Sequence, residues 1–218
     1  MPASFSSATF NLDGLLIGEH PVTSRQITLL SGENRARGAL LGKITLGAAS
    51  SQAGGGNTGN GVFTLDPTTP ILANAQVGAY NVRCITAAVN GGTFRVTDPQ
   101  GNVLGDVAVG ATFANQIKFS IADGSTDFVV GDFFTVTIAA GSGKYRLSAT
   151  AAVDGSAVPD AILAEATDAT AADVATIAYF TGGFDESKLV LGTGHTVASV
   201  KEGLRDKGIH LINVQTTY

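Results

Sequence analysis

The spacing most suggestive of chemistry is Gly54-Gly-Gly-Asn-Thr-Gly59, a literal G-x-G-x-x-G. In dinucleotide-binding proteins those glycines let backbone amides approach a pyrophosphate between a strand and the N-terminus of a helix. Here the β-prone run Val62-Phe-Thr-Leu-Asp66 follows, so no helix is in place to hold the anion. Gly141-Ser-Gly-Lys-Tyr145 is further still from a phosphate loop. Ile138 stands where the first glycine belongs, and Tyr145 stands where Ser or Thr would follow the lysine. His20, His195 and His210 lie in three unrelated contexts, none with a partner at metal-ligand spacing. His195, just ahead of a predicted helix, reads as turn packing or a cap contact. Asp123 and Asp127 in Asp-Gly-Ser-Thr-Asp hint at calcium, but an EF-hand loop needs more carboxylates and a terminal Glu. They read as a solvated hairpin turn. No G-x-S-x-G elbow occurs, and nothing assembles a nucleophile, a base and an oxyanion hole. The expectation is a non-enzyme with no catalytic residue, no metal and no cofactor.

Composition narrows the partners. A net charge of −5 argues against nucleic acid, whose binding surfaces need clustered Lys and Arg. Arg25, Arg35, Arg37 and Lys43 form only a diffuse group. No apolar stretch approaches the roughly 20 residues that span a bilayer, so no membrane partner is expected. No basic segment with an apolar run opens the sequence, which reads as a soluble protein made in a cytosol or released from one by lysis. The single Cys84 cannot form an internal disulfide and reads as a small buried residue of a strand.

The positioning elements are nearly all β. Residues 25–45 read as two short strands around a Ser-Gly-Glu-Asn turn. From Val62 to Ala140 short strands recur at regular spacing between Gly, Asn and Asp turns. The alternation puts Tyr80, Val82 and Cys84 on one face, as it does Ile117, Phe119 and Ile121, and Phe134, Val136 and Ile138. That pattern predicts a small sandwich or barrel. Asp173–Phe184 is a further strand, with Ile177, Tyr179 and Phe184 expected inward. One helix follows, with Thr196 as N-cap, Val197, Val200 and Leu204 at i, i+3 and i+7, and Lys207-Gly208 as its close. Ile209–Gln215 reads as a final strand. Residues 1–24 show no sustained periodicity, although Phe5, Phe10, Leu12, Leu15, Leu16 and Ile17 are apolar. They read either as a frayed terminus or as an arm that adds to another chain's sheet.

The middle differs from its flanks. It is all β and bounded by glycine-rich stretches, "GAASSQAGGGNTGNG" before it and "AAGSGK" after it. Both read as linkers of a domain inserted into a surface loop. The flanks resemble the lambda-type phage head decoration proteins. In that family "AILAED", an Ala/Asp turn, a "V-x-Y-x-x-G-x-F" strand and a short helix ending "L-R-x-x-G-I" follow one another. Ala161–Glu165, Val174–Phe184 and Leu204–Ile209 match that order. "LLSGENRARGALLGKIT" is similar to the family's opening "L-x-x-G-x-x-x-x-R-G-x-v-L-G-x-I". In simpler members "LGKIT" is followed within a few residues by "GKY-x-L". Here Leu41–Thr45 and Gly143–Leu147 are nearly a hundred residues apart. The middle segment is similar to a β-module of several phage structural proteins.

The resemblance implies a capsid cement protein. The fold expected is mainly β: a β-clip-like decoration domain with one short C-terminal helix (25–45 and 141–218), plus an inserted all-β sandwich-like domain (46–140). Residues 1–24 are expected to form a capsid-binding arm, poorly ordered in the free protein, using Phe5, Phe10, Leu12, Leu15, Leu16 and Ile17. The implied partners are the major capsid protein and the chain itself, as a homotrimer on the outer surface of an expanded phage head. It would be made in the host cytoplasm. Val174, Ile177, Tyr179 and Phe180 are the candidate trimer interface. Two other readings stay open: a different virion component, such as a tail or fibre protein, and a host-surface or glycan-binding module.

Overall fold

The computed structural model describes residues 14–214. The strands among them are β1 (Thr23–Leu29), β2 (Glu33–Arg35), β3 (Leu40–Lys43), β4 (Leu46–Ala53), β5 (Val62–Leu65), β6 (Gly78–Ala88), β7 (Gly91–Thr97) and β8 (Val103–Ala108). They continue with β9 (Thr112–Ala114), β10 (Lys118–Ala122), β11 (Phe133–Ala140), β12 (Tyr145–Leu147), β13 (Pro159–Leu163), β14 (Thr167–Ala169), β15 (Val174–Asp185) and β16 (Ile209–Ile212). One α-helix, α1, covers Val197–Arg205. The chain divides into two compact units. The first takes the described residues up to Lys43, Lys144–Ala151, and those from Val158 onward. The second takes Ile44–Gly143 and Ala152–Ala157.

The first unit is a small closed barrel. Strands follow the order β1-β12-β3-β13-β15, and β15 returns to β1. Closure leaves the barrel strands no free edge at that seam. Its lumen is filled by Ile27, Leu29, Ala39, Leu41, Tyr145, Ala161, Leu163 and Ala178. A second cluster lies on the other face of β3 and β13, where Leu40 and Ile162 meet Val200 and Leu204 of α1. β3 and β13 are therefore buried on both faces, which explains why they read as continuous apolar runs and do not alternate. α1 is fixed at its start by a capping box, in which Thr196 and Ser199 satisfy each other's backbone amides. Gly208, with φ +82°, turns the chain into β16.

Two local expectations fail in this unit. Glu33-Asn-Arg35 is a strand, paired with β14, and Glu33 is buried against Arg35 and the amide of Leu147. On β15 the lumen face carries Thr176 and Ala178, while Ile177 is 44% exposed. In the middle of β15, where Ile27, Leu29, Leu41 and Leu163 already fill the lumen, the inward positions are small, while the larger Val174 and Phe180 pack against the cluster from partly buried positions. The hydroxyl of Thr176 is satisfied by Thr167 at 2.7 Å.

The second unit is a two-sheet sandwich, β4-β11-β6-β7-β8 over β5-β10-β9. The three predicted apolar faces all enter its core: Tyr80, Val82 and Cys84, then Ile117, Phe119 and Ile121, then Phe134, Val136 and Ile138. Phe63, Phe94, Phe113, Phe119, Phe128 and Phe134 stack or meet edge to face at 4.5–5.9 Å. Burial pushes the Cys84 thiol up, the state of an inert packing residue.

The leading glycine-rich stretch is no loose linker. Leu46–Ala53 forms β4, hydrogen-bonded along β11. Gly54–Gly61 is then tied down around Asp132, which is 4% exposed. The Asp132 carboxylate accepts from the amides of Thr58, Gly59 and Val129 at 2.9–3.1 Å. Asn57 exchanges two hydrogen bonds with the backbone of Phe133. A Cβ on Gly59 or Gly61 would lie 2.5 Å from the Phe128 ring, so glycine is required there for close packing. Burial alone would raise the Asp132 carboxyl; the amides of Gly59, Thr58 and Val129 outweigh it and hold the group below the usual carboxylate range. Asp132→Ala should leave these amides unpaired and destabilise the sandwich by about 1–3 kcal/mol in denaturant unfolding. Because the folded carboxyl is depressed, its contribution is complete above about pH 5 and is lost as pH falls through about 4 and below. The Ala variant should therefore show a flatter stability profile over that acid range than the parent.

Candidate interaction surfaces

Several of the residues whose spacing suggested chemistry have structural partners. The amides of Thr58 and Gly59, those a phosphate would need, are already used by Asp132. His195 Nε2 lies 3.0 Å from the buried Ser148 Oγ, a contact that packs the turn before α1. Asp127 accepts from the amide of Asn90 and braces a turn. Among the described residues no three His, Cys, Asp or Glu side chains group so as to hold a metal ion. Their sequence contexts gave no sign that His20 and His210 would meet, yet their rings stack at 4.2 Å with an interplanar angle of 16°. Only the pairing of Gly183 with His210, and the passage of the N-terminal segment over Gly183, brings them together.

The expected arm divides. Phe5, Phe10 and Leu12 lie outside the described residues. Leu15, Leu16 and Ile17 are held on the first unit, contrary to an arm that is loose throughout. Leu15 is 1% exposed and packs with Leu40, Ile162, Phe184, Val200 and Leu204. The Ile17 amide donates to Gly183 O at 2.9 Å, and the Asp185 amide donates to Leu15 O at 3.0 Å. Leu16 bridges Phe184 in antiparallel register. A Cβ on Gly183 would sit 2.3 Å from Ile17 O, so glycine is what lets this segment lie so close. Leu15 and Leu16 are thus part of the protein's own core, and Ile17 is held beside it through its main chain.

The candidate trimer residues fall on two faces of β15. Val174 and Phe180 pack against the lumen cluster, and the Arg25 guanidinium covers the Phe180 ring at 4.9 Å. Ile177 and Tyr179 point the other way. Ile177 is exposed, whereas Tyr179 packs on Phe184 and lies beneath the Arg37 guanidinium. Strand alternation sets Val174 and Phe180 on one face of β15 and Ile177 and Tyr179 on the other. Ile177 is the member of the set offered to solvent.

A family model described as Bacteriophage lambda head decoration protein D matches residues 6–210. No curated protein sequence matches the chain. Two crystal structures of Xanthomonas campestris FlgL, in space groups H3 and C2, are similar at 20% identity, with TM-scores of 0.33 and 0.32. They cover 48% and 49% of this chain, which spans about a third (33%) of theirs; at these scores the likeness carries no weight.

The anchoring of Leu15 has a measurable consequence. Leu15→Ala should cost about 2–5 kcal/mol in the first unit, the range for deleting a fully buried leucine. Ile177→Ser should change unfolding by no more than about 0.5 kcal/mol, as for an exposed position. Thermal or denaturant melts of the two variants check both.

Proposed function

The chain belongs to the family of the bacteriophage lambda head decoration protein D, and from that premise we propose that it works as a capsid cement. It binds the outer surface of the expanded head as a trimer at three-fold and quasi-three-fold sites, contacts the major capsid protein, and stabilises the shell. The observation that carries this reading is the family match over residues 6–210, which reaches both flanks of the second unit. The physical character agrees with it. A cement needs extensive main-chain pairing, a rigid base and a segment able to add to a partner's sheet, and it needs no reactive group. A closed trimer requires only one self-interface used three times.

The capsid-binding segment is assigned to the residues before Gly14, including Phe5, Phe10 and Leu12, because Leu15–Ile17 are engaged on the base. Strand addition would supply main-chain hydrogen bonds, with alternate side chains fixing register. Ordering such a segment costs about 1–2 kcal/mol per residue in backbone entropy. One arm therefore binds weakly, and three arms on one trimer gain avidity without new contacts.

Deleting residues 1–12 should abolish or greatly weaken binding to undecorated heads while leaving the melt of the base unchanged. Retained binding would sink the arm assignment. A mass measurement of decorated heads should give three copies per three-fold site; one copy would overturn the trimer. The long segment of the second unit, Ile44–Gly143, should also be dispensable. The Ser148 amide donates to Leu40 O, so the hydrogen-bonded pairs of β3 and β12 are Leu40 with Ser148 and Gly42 with Arg146, and the next in register is Ile44 with Lys144. Replacing residues 45–143 with Asn-Gly therefore closes the two strands as a two-residue hairpin. The product should fold and still decorate heads, read by circular dichroism and co-sedimentation.

A further inference from the structure

We propose that the outer edge of β4 is a self-association surface, on which β4 of a second copy adds antiparallel and extends the five-stranded sheet. Among the described residues β4 is the edge strand of that sheet and is bonded on one side only, to β11. The register is fixed by Gly54, whose amide donates to Phe133 O at 2.8 Å. Counting back in twos, Gln52 and Ser50 turn their main-chain groups to β11. Ala49, Ser51 and Ala53 turn theirs outward, and their outward N–H and C=O groups have no hydrogen bond among the described residues. Ser50, Ser51, Gln52 and Ala53 are all exposed.

Edge strands are usually blunted by charge, proline, a bulge or shortness. β4 has none of these over its outer half. It is eight residues long, and no Asp, Glu, Lys, Arg or Pro occurs from Thr45 to Leu65. Its irregularity lies at the Leu46 end, leaving positions 49–53 regular. The opposite edge of the sheet, β8, is protected: it carries Asp106, paired with Arg95, and a register shift opposite Val96 and Thr97. β5 and β9 are only four and three residues long.

The occupant is argued from the same residues. A foreign peptide is selected by pockets for alternate side chains, but positions 50–53 present only Ser, Gln and Ala to solvent. A second β4 needs none. Centred on Ser51, it sets Ser51 opposite Ser51, Ser50 opposite Gln52 and Ala49 opposite Ala53. No like charges meet and no bulky side chains collide. Three hydrogen-bonded pairs form, each with two main-chain bonds. The contact is isologous, as a two-fold interface requires. The second unit carries seven Asp, no Glu and three Lys or Arg, so two copies repel at long range. Salt should strengthen this pairing; it would weaken capture of a basic segment.

The test uses the full chain. Sedimentation from about 10 μM to about 1 mM should show an association step strengthened by salt. Ser50→Lys/Gln52→Lys and Ser50→Glu/Gln52→Glu should each weaken that step at least about tenfold, and their equimolar mixture should restore it. Ser51→Pro removes an outward amide and should act like the charged variants. Matching melts confirm that all of them fold, and the charged pair suffices if the proline variant does not. The proposal is wrong if the parent shows no such step up to about 1 mM. It is equally wrong if the charged variants associate like the parent, or if the mixture regains nothing.

Discussion

The antiparallel pairing of β3 with β12 is the constraint on which the rest of the structure depends. Lys43 lies opposite Tyr145, so the chain must leave and re-enter the barrel at one point. β12 is also the strand through which β1 meets β3, so the barrel cannot close until the excursion has returned. Closing a flexible loop of about a hundred residues costs several kcal/mol in entropy. The second unit offsets that cost with its own sheet. Leu46 pairs with Ala140, and the Gly141 and Gly143 amides donate to Thr45 O and Ile44 O. Its ends are therefore held together by its own ladder, and the barrel receives a loop that is already closed.

This arrangement explains which parts of the fold were legible in the sequence. Where a strand has one wet and one dry face, alternation reported the dry face correctly, as for Tyr80, Val82 and Cys84 or Phe134, Val136 and Ile138. The helix was legible because its cap, its apolar positions and its closing glycine are all local signals. β15 misled because hydrophobicity was taken as the inward mark. In the middle of the strand the small Thr176 and Ala178 take the inside while Ile177 takes the outside, and Val174 and Phe180 reach the lumen cluster from partly buried positions. β4 was read as linker because its contribution is almost wholly main-chain hydrogen bonding, which leaves little trace in side-chain type.

The interaction residues were less legible, and for a related reason. A short apolar run near a chain end has the same appearance whether it fills a partner's pockets or its own core. Leu15 is committed by Phe184, Val200 and Leu204, which lie far along the sequence. The His20–His210 stack depends on the same long-range docking. The glycine tract, rejected as a dinucleotide fingerprint and read as a linker, is instead ordered by a group of its own unit. Its amides do surround an anion, and that anion is the carboxylate of Asp132 from the same unit.

One kind of contact recurs through the molecule. Leu15–Ile17 add to the second half of β15, on the side opposite β16. β4 adds to β11 in the same way, with small residues and little side-chain burial. In both cases glycine opens the approach: Gly183 admits Ile17 O, and Gly47 lies where a Cβ would come within 2.6 Å of Ala140 O. A protein that builds itself by laying strands along open edges already has the means to engage a neighbour. What distinguishes the two edges is their cover. The second half of β15 is occupied on both sides, by Leu15–Ile17 and by β16, whereas among the described residues no strand pairs with the outer side of β4. Main-chain pairing sites that a folded chain leaves uncovered, uncharged and regular are the ones available for assembly.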